Sequence, residues 1–155
     1  MKGEPFPAPL PLSRFTLGED QFEDDLMALA EGRILSFTSP DDIDVAVLET
    51  FPYEGPEQEV LTETKEFSAV CPYSGLPDFA VLSIRYVPSD RCVELKSLKY
   101  YVVSFRNVGI FQEHATARIA QDLWRLLSPK RLTVTTRYNA RGGFETVCSV
   151  TLPTA

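Results

Sequence analysis

The chain has 155 residues and a mass of 17.4 kDa, enough for one domain with a sizeable core and short for two. With 44% hydrophobic and 24% charged residues it has the make-up of a globular protein, and no apolar run nears the ~20 residues of a membrane-spanning helix, which excludes a helical membrane protein and leaves no membrane partner to expect. The net charge of −7 is unevenly divided: residues 1–60 carry fourteen acids and three bases, residues 61–155 eight acids and twelve bases.

That division fits either two solvated surfaces or a second part that meets an anionic ligand such as a phosphate-bearing cofactor. The acidic total argues against a grip on nucleic acid. Residues 1–50 read as an acidic, proline-rich arm, with a short helix expected in EDQFEDDLMALAEG and ended by Gly32. The opening MKGEPFPAPLPLSRF lacks the continuous apolar stretch of a secretory signal, because prolines interrupt it. Three cysteines, Cys71, Cys92 and Cys148, are odd in number and widely spaced, which suits a reducing compartment better than a disulfide framework. A cytoplasmic location is expected.

Residues 51–155 read as the domain. Two β-prone runs, Glu57–Val70 and Phe79–Val87, flank the loop CPYSGLPD, and VPSD then makes a turn. Leu95, Leu98, Val102 and Phe105 recur at steps of three, four and three, the buried stripe of a helix over 95–105. Lys96, Lys99 and Arg106 share another face of it. A second helix, from about Ile110 to Leu127, carries Phe111, Ala115, Ile119, Leu123 and Leu127 at steps of four and stops at Ser128-Pro129. The chain closes as a hairpin, LTVTTRY and FETVCSVTL joined by NARGG, where Gly142 and Gly143 supply unusual dihedrals. The order ββααββ makes an α+β fold, with two helices on one face of a mostly antiparallel sheet. Apolar residues are expected on both faces of that sheet, so subunits are expected to associate through it into a homo-oligomer.

The chemistry concentrates in the first loop. A nucleophilic cysteine needs partial exposure and a setting that favours the thiolate, and Cys71, between a strand and a proline in a turn-rich loop, fits better than Cys92 or Cys148, which lie in or beside apolar runs. Asp78 stands across the loop, where a hairpin-like return brings a carboxyl group toward the sulfur for proton transfer. The plainer alternative is a turn-forming aspartate beside a small buried cysteine. No metal site is expected, since there is no CxxC and the single histidine, His114, has only scattered partners. Neither GxSxG, a Walker loop nor GxGxxG is present, so a nucleotide would be held by side chains. Lys96 and Lys99, three apart near a helix start, and Arg141 in the NARGG turn have the chemistry for phosphates, although such lysines also serve as a solvated helix face. Glu113 and Glu94 are either helix-terminus acids or acceptors for the N–H edge of a purine-like ring.

FSAVCPYSGLPDFA, ELKSLKYYVVSFRN, FQEHATARIAQDL and ARGG, in this order across roughly residues 57–151, resemble the unimodular nitrile reductases, the 7-cyano-7-deazaguanine reductase (QueF) family of queuosine biosynthesis. The resemblance implies the tunnelling fold of GTP cyclohydrolase I, an oligomeric barrel of ββααββ subunits with sites between them, a decamer of two stacked pentamers among its forms. It implies NADPH-dependent, four-electron reduction of a nitrile to a primary amine, with Cys71 forming a covalent thioimidate and Asp78 handling the proton. It also implies that Val93, Glu94, Leu95, Gln112 and Glu113 hold the deazaguanine, and that Lys96, Lys99 and Arg141 hold NADPH. One position departs: better-known members have a histidine directly before the glutamate that matches Glu113, whereas this chain has Gln112 there and His114 just after. Two helical residues differ by ~200° around the axis, so His114 does not substitute in place. QEHATARIA also resembles the Gln-Glu helix of GTP cyclohydrolase I, which assigns Gln112 to the ring edge. The rival readings are a zinc-dependent cyclohydrolase of the same fold and a non-catalytic purine- or pterin-binding module.

Overall fold

The computed structural model describes residues 35–154, so the helix expected within residues 19–32 lies outside the described residues. The segment up to residue 50 makes two short 3-10 turns, Pro40–Asp42 and Val45–Val47. Its Ile43 and Leu48 are buried in the core, on the arm side of the boundary expected at residue 50. Then follow β1 (Thr50–Pro52), β2 (Val60–Val70), β3 (Pro77–Val87), β4 (Arg91–Val93), α1 (Leu95–Ser104), α2 (Gln112–Leu127), β5 (Arg131–Tyr138) and β6 (Val147–Leu152). The four long strands form an antiparallel sheet in the order β2-β3-β5-β6, while β1 pairs with β4 in a separate ribbon. The ββααββ order is present. The ribbon is additional, since strands of three residues are too short to show an alternating pattern.

Alternation decides which face of the sheet meets the helices. β3 buries Ala80, Leu82, Ile84 and Tyr86, and β5 buries Leu132, Val134, Thr136 and Tyr138. Against them α2 lays Ala115, Ile119, Leu123 and Leu127, all fully buried, and each large apolar side chain so placed contributes ~1.5–3 kcal/mol. Phe67 of β2 meets Phe105 at 5.5 Å between ring centroids in a tilted arrangement, and Phe105 meets Tyr101 of α1 edge-on at 5.3 Å, contacts that add to burial. α2 ends where Ser128 takes a left-handed conformation (φ 42°) before Pro129, a stop that proline makes irreversible.

Two stripe residues fall elsewhere than the periodicity suggests. Leu95 is 51% exposed, being the first helical residue of α1 and ahead of the turn that meets the sheet, and fully buried Tyr101 joins Leu98 in its stead. Phe111 is 48% exposed because it is the extended N-cap residue of α2 rather than part of its stripe. The far face of the sheet meets the expectation only in part, for although Leu61, Phe79 and Val147 stand exposed on it, it is largely polar. Ser83, Arg85 and Arg137 line it, and cross-strand hydroxyl pairs, Thr133 with Thr151 and Thr135 with Ser149, each at 3.0 Å, run along it. Threonines read as apolar β-formers in a sequence, yet here they satisfy one another in solvent. Among the described residues, what the sheet leaves unpaired are its edges, β6 and, apart from the Val70–Gly109 bridge, β2.

The helices are tied by a buried polar knot. Asp122 of α2 accepts from the Tyr101 hydroxyl at 2.8 Å and from Arg118 Nε at 2.7 Å, and burial first, then the Asp122 charge, pushes the Tyr101 phenol up. Asp122→Ala strands a buried hydroxyl and is expected to cost about 2–4 kcal/mol. Chemical denaturation at fixed protein concentration checks this, and an unchanged midpoint counts against it. No helix among the described residues is long and apolar enough to cross a membrane.

Candidate active site

A bulge in β2 sets the direction of the loop. Thr62 and Thr64 oppose Ile84 and Leu82, but Phe67 and Ala69 oppose Ala80 and Asp78, so one extra residue is inserted between Thr64 and Phe67 and the inward parity changes from even to odd. Cys71 continues the odd parity and leaves the strand toward the same face as Asp78. The loop that follows is closed by its own backbone: Cys71 N–H donates to Leu76 O at 2.9 Å and Gly75 N–H to Cys71 O at 2.8 Å. Gly75 has φ +68°, and a Cβ there would meet Leu35 at 3.2 Å, so both conformation and space require glycine.

Asp78 extends the buried row of β3 at its Cys71 end, so a carboxylate occupies a place that alternation gives to the core. It is only 4% exposed. A buried charge needs a partner, and Arg141 Nη1 supplies it at 2.6 Å, while Nη2 donates to Ser74 Oγ at 3.2 Å. Burial pushes the half-buried Cys71 thiol up, but hydrogen bonds from the Arg141 and Ser74 side chains, with the Ser74 and Tyr73 backbone, outweigh it and lower the thiol from 9.0 to about 7. A thiol so lowered is thiolate at neutral pH to a far greater extent than an ordinary cysteine. Burial, then the Glu113 charge, holds the Cys148 thiol up instead. Cys71, Cys92 and Cys148 are all free.

Gln112 and Glu113 belong to the same end of the molecule. Ile110 N–H donates to Val70 O at 3.0 Å, directly before Cys71, and α2 starts two residues later. The Gln112 carbonyl accepts from Thr116 Oγ1 at 2.9 Å and from the Tyr138 hydroxyl at 3.3 Å, so β5 clamps the helix start. Glu113 and His114 are exposed there, His114 against the Phe111 ring at 6.0 Å. Ser74, Thr116 and Tyr138 are the site residues that sequence reasoning missed. For Ser74 the available signal was a serine directly before a glycine in a tight turn.

The other expected residues lie apart. Val93 N–H donates to the Tyr86 hydroxyl at 3.3 Å, and Tyr86 stands eight residues along β3 from Asp78, ~26 Å at the rise of a strand. Glu94 caps α1, accepting from the N–H groups of Lys96 at 2.9 Å and Ser97 at 2.7 Å, and these bonds hold its carboxyl below the usual range. Leu95, Lys96 and Lys99 follow on the exposed surface. Within one chain, then, Cys71, Asp78, Arg141, Gln112 and Glu113 gather at one end of the sheet, and Val93, Glu94, Leu95 and Lys96 at the other. Arg141 in particular joins Cys71 and Asp78 rather than Lys96 and Lys99. A groove of ≈ 380 Å³ between α1 and β2 is lined by Leu95, Leu98, Lys99, Val102 and Val103 with Thr62 and Thr64. It contains none of the Cys71 group, whose loop is open to solvent on the side of Tyr73 and Arg141. Among the described residues no three His, Cys, Asp or Glu side chains converge as metal ligands.

Comparison with known proteins gives one family. The family described as QueF-like protein matches residues 77–154. An NADPH-dependent 7-cyano-7-deazaguanine reductase of Caldicellulosiruptor bescii is 57% identical over 106 residues, 67% of this chain and 81% of that protein. The protein of the same name from Thermotoga maritima is 54% identical over 121 residues, 77% of this chain and 88% of its own. Among solved structures, the apo form of the archaeosine synthase QueF-Like superposes with a TM-score of 0.55 at 21% identity, covering 63% of this chain and 95% of that one, a likeness of fold.

Proposed function

The chain belongs to the QueF-like family, and from that premise we propose that it reduces the nitrile of 7-cyano-7-deazaguanine to the primary amine with NADPH as reductant, a step of queuosine formation. The observation that carries the chemistry is the Cys71 loop, in which a thiol, a buried carboxylate and a guanidinium converge.

A nitrile carbon accepts hydride poorly. The Cys71 thiolate adds to it, forming the C–S bond of a thioimidate, and Asp78 takes the proton that the thiol sheds and passes it to the nitrogen. NADPH, when bound, would supply the reducing equivalents, one hydride from each of two molecules in turn, four electrons in all. A second proton reaches nitrogen through the same carboxyl group, and departure of sulfur restores the thiolate. Arg141, Lys96 and Lys99 have the donor chemistry for the cofactor's phosphates. Gln112 and Glu113 hold the ring edge.

Val93, Glu94 and Leu95 are too far along the sheet to touch a ring held by Gln112 and Glu113 of the same chain. In this reading a second copy brings them, together with Lys96 and Lys99, and closes the open side of the loop. The unpaired edges β2 and β6, rather than the polar far face, are the surfaces through which copies join. A stable monomer by light scattering at micromolar concentration would remove this part.

The test of the reaction mixes purified protein with 7-cyano-7-deazaguanine. An adduct mass on the Cys71 peptide is expected before NADPH is added, then consumption of two NADPH per nitrile. Nitrile binding with no NADPH oxidation would overturn the assignment in favour of a binding module.

A further inference from the structure

Arg141 makes two hydrogen bonds inside its own chain while much of its side chain stays exposed. Its guanidinium fork reaches Asp78 Oδ1 at 2.6 Å and Ser74 Oγ at 3.2 Å, so one side chain spans both sides of the loop that Cys71 opens. The turn that carries it is shaped for this. Arg141 N–H donates to Phe144 O at 2.9 Å and Phe144 N–H to Arg141 O at 3.0 Å, around Gly142 and Gly143 at φ +56° and +84°, conformations that other residues rarely adopt. Asp78, being buried, makes the inward position of the guanidinium favourable, since a buried carboxylate without a cation is costly.

We propose that Arg141 is a positioning residue for the covalent step: by bridging Asp78 and Ser74 it holds positive charge beside the Cys71 sulfur and makes it a nucleophile before any dinucleotide takes part. This deepens the proposed function and rests on its assignment of Cys71, although the titration below does not require the nitrile. The lowered Cys71 thiol agrees with it, its side-chain hydrogen bond to Arg141 being the largest of the effects that favour the thiolate. The ionisable side chains at the loop are Asp78 from β3 and Arg141 from the β5–β6 turn, while His114 and Arg118 of α2 line one depression with Pro72. Of these only Arg141 is a fixed cation bonded to the loop.

Alkylation of Cys71 by iodoacetamide tests the proposal, measured against pH on the full-length protein with peptide mass separating Cys71 from Cys92 and Cys148. The wild type is expected to show a midpoint near 7. Arg141→Gln and Arg141→Met are expected to raise it by at least one pH unit, so that the rate at pH 7 falls at least about fivefold, the thiolate going from roughly one half to one eleventh. Arg141→Lys, which keeps the charge and loses the fork, is expected to fall between. A wild-type midpoint near the ordinary thiol value overturns the proposal without any variant, and so does an unmoved midpoint in either folded neutral variant. Should the titration behave as expected while 7-cyano-7-deazaguanine forms no adduct, the role of Arg141 stands and the proposed reaction falls.

Discussion

Cys71→Ser is expected to form no covalent adduct with 7-cyano-7-deazaguanine and to make amine at least ~10⁴-fold more slowly than the wild type. At ~1.36 kcal/mol for each factor of ten, that is ~5.4 kcal/mol of lost transition-state stabilisation. The reason is ionisation. The Cys71 thiol, brought down to about 7, supplies an anion at neutral pH, whereas a serine hydroxyl in the same hydrogen bonds does not ionise there. The wild-type adduct rate accordingly rises with pH through about 7 and levels off above it, because thiolate is the reactive form and is lost as pH falls. Cys71 is half-buried and outside the core cluster, so the melting temperature is expected to stay close to that of the wild type. Amine production by the serine enzyme at an undiminished rate would end the covalent account.

Asp78→Asn is the second large effect. The amide keeps the shape and can still accept from Arg141, but it cannot carry a proton between sulfur and nitrogen. Amine formation is expected to drop by about 10²–10⁴-fold, and adduct formation with it, while nitrile binding changes little because the ring is held by other residues. Arg141 is exposed over much of its side chain, so loss of the ion pair is expected to cost at most ~1 kcal/mol of stability. Steady-state kinetics together with adduct mass would decide. A variant within a few-fold of wild-type kcat would show that the proton travels by another route.

Much of the fold is legible in the sequence because its signals are periodic. The four-residue step of Ala115, Ile119, Leu123 and Leu127 and the alternation in β3 and β5 each follow from one face meeting a core. What escapes is whatever depends on pairing between distant segments. The polar far face belongs to this class: threonines in LTVTTRY and TVCSVTL look like β-formers of either environment until Thr133 is seen opposite Thr151. The two ends of the sheet are another case. Glu94 and Glu113 are close in sequence, yet α1 intervenes, and no spacing rule reveals that they stand at opposite ends. Cys71 and Asp78 were legible as a pair because a short loop joins them. Arg141 was legible as a phosphate-type cation but not as their partner, since sixty-three residues separate it from Asp78. The Tyr138 and Thr116 bonds to the Gln112 carbonyl leave no trace in composition or motif.

The extra residue between Thr64 and Phe67 has a consequence for engineering. Deleting one residue there restores a regular ladder, but at the expense of the core, since fully buried Phe67 would have to leave it. Every side chain from Phe67 to Val70 would then be turned over, and the sulfur would emerge on the opposite surface from its carboxylate. Such a protein would retain each motif by which a database search finds its relatives and would still be catalytically dead.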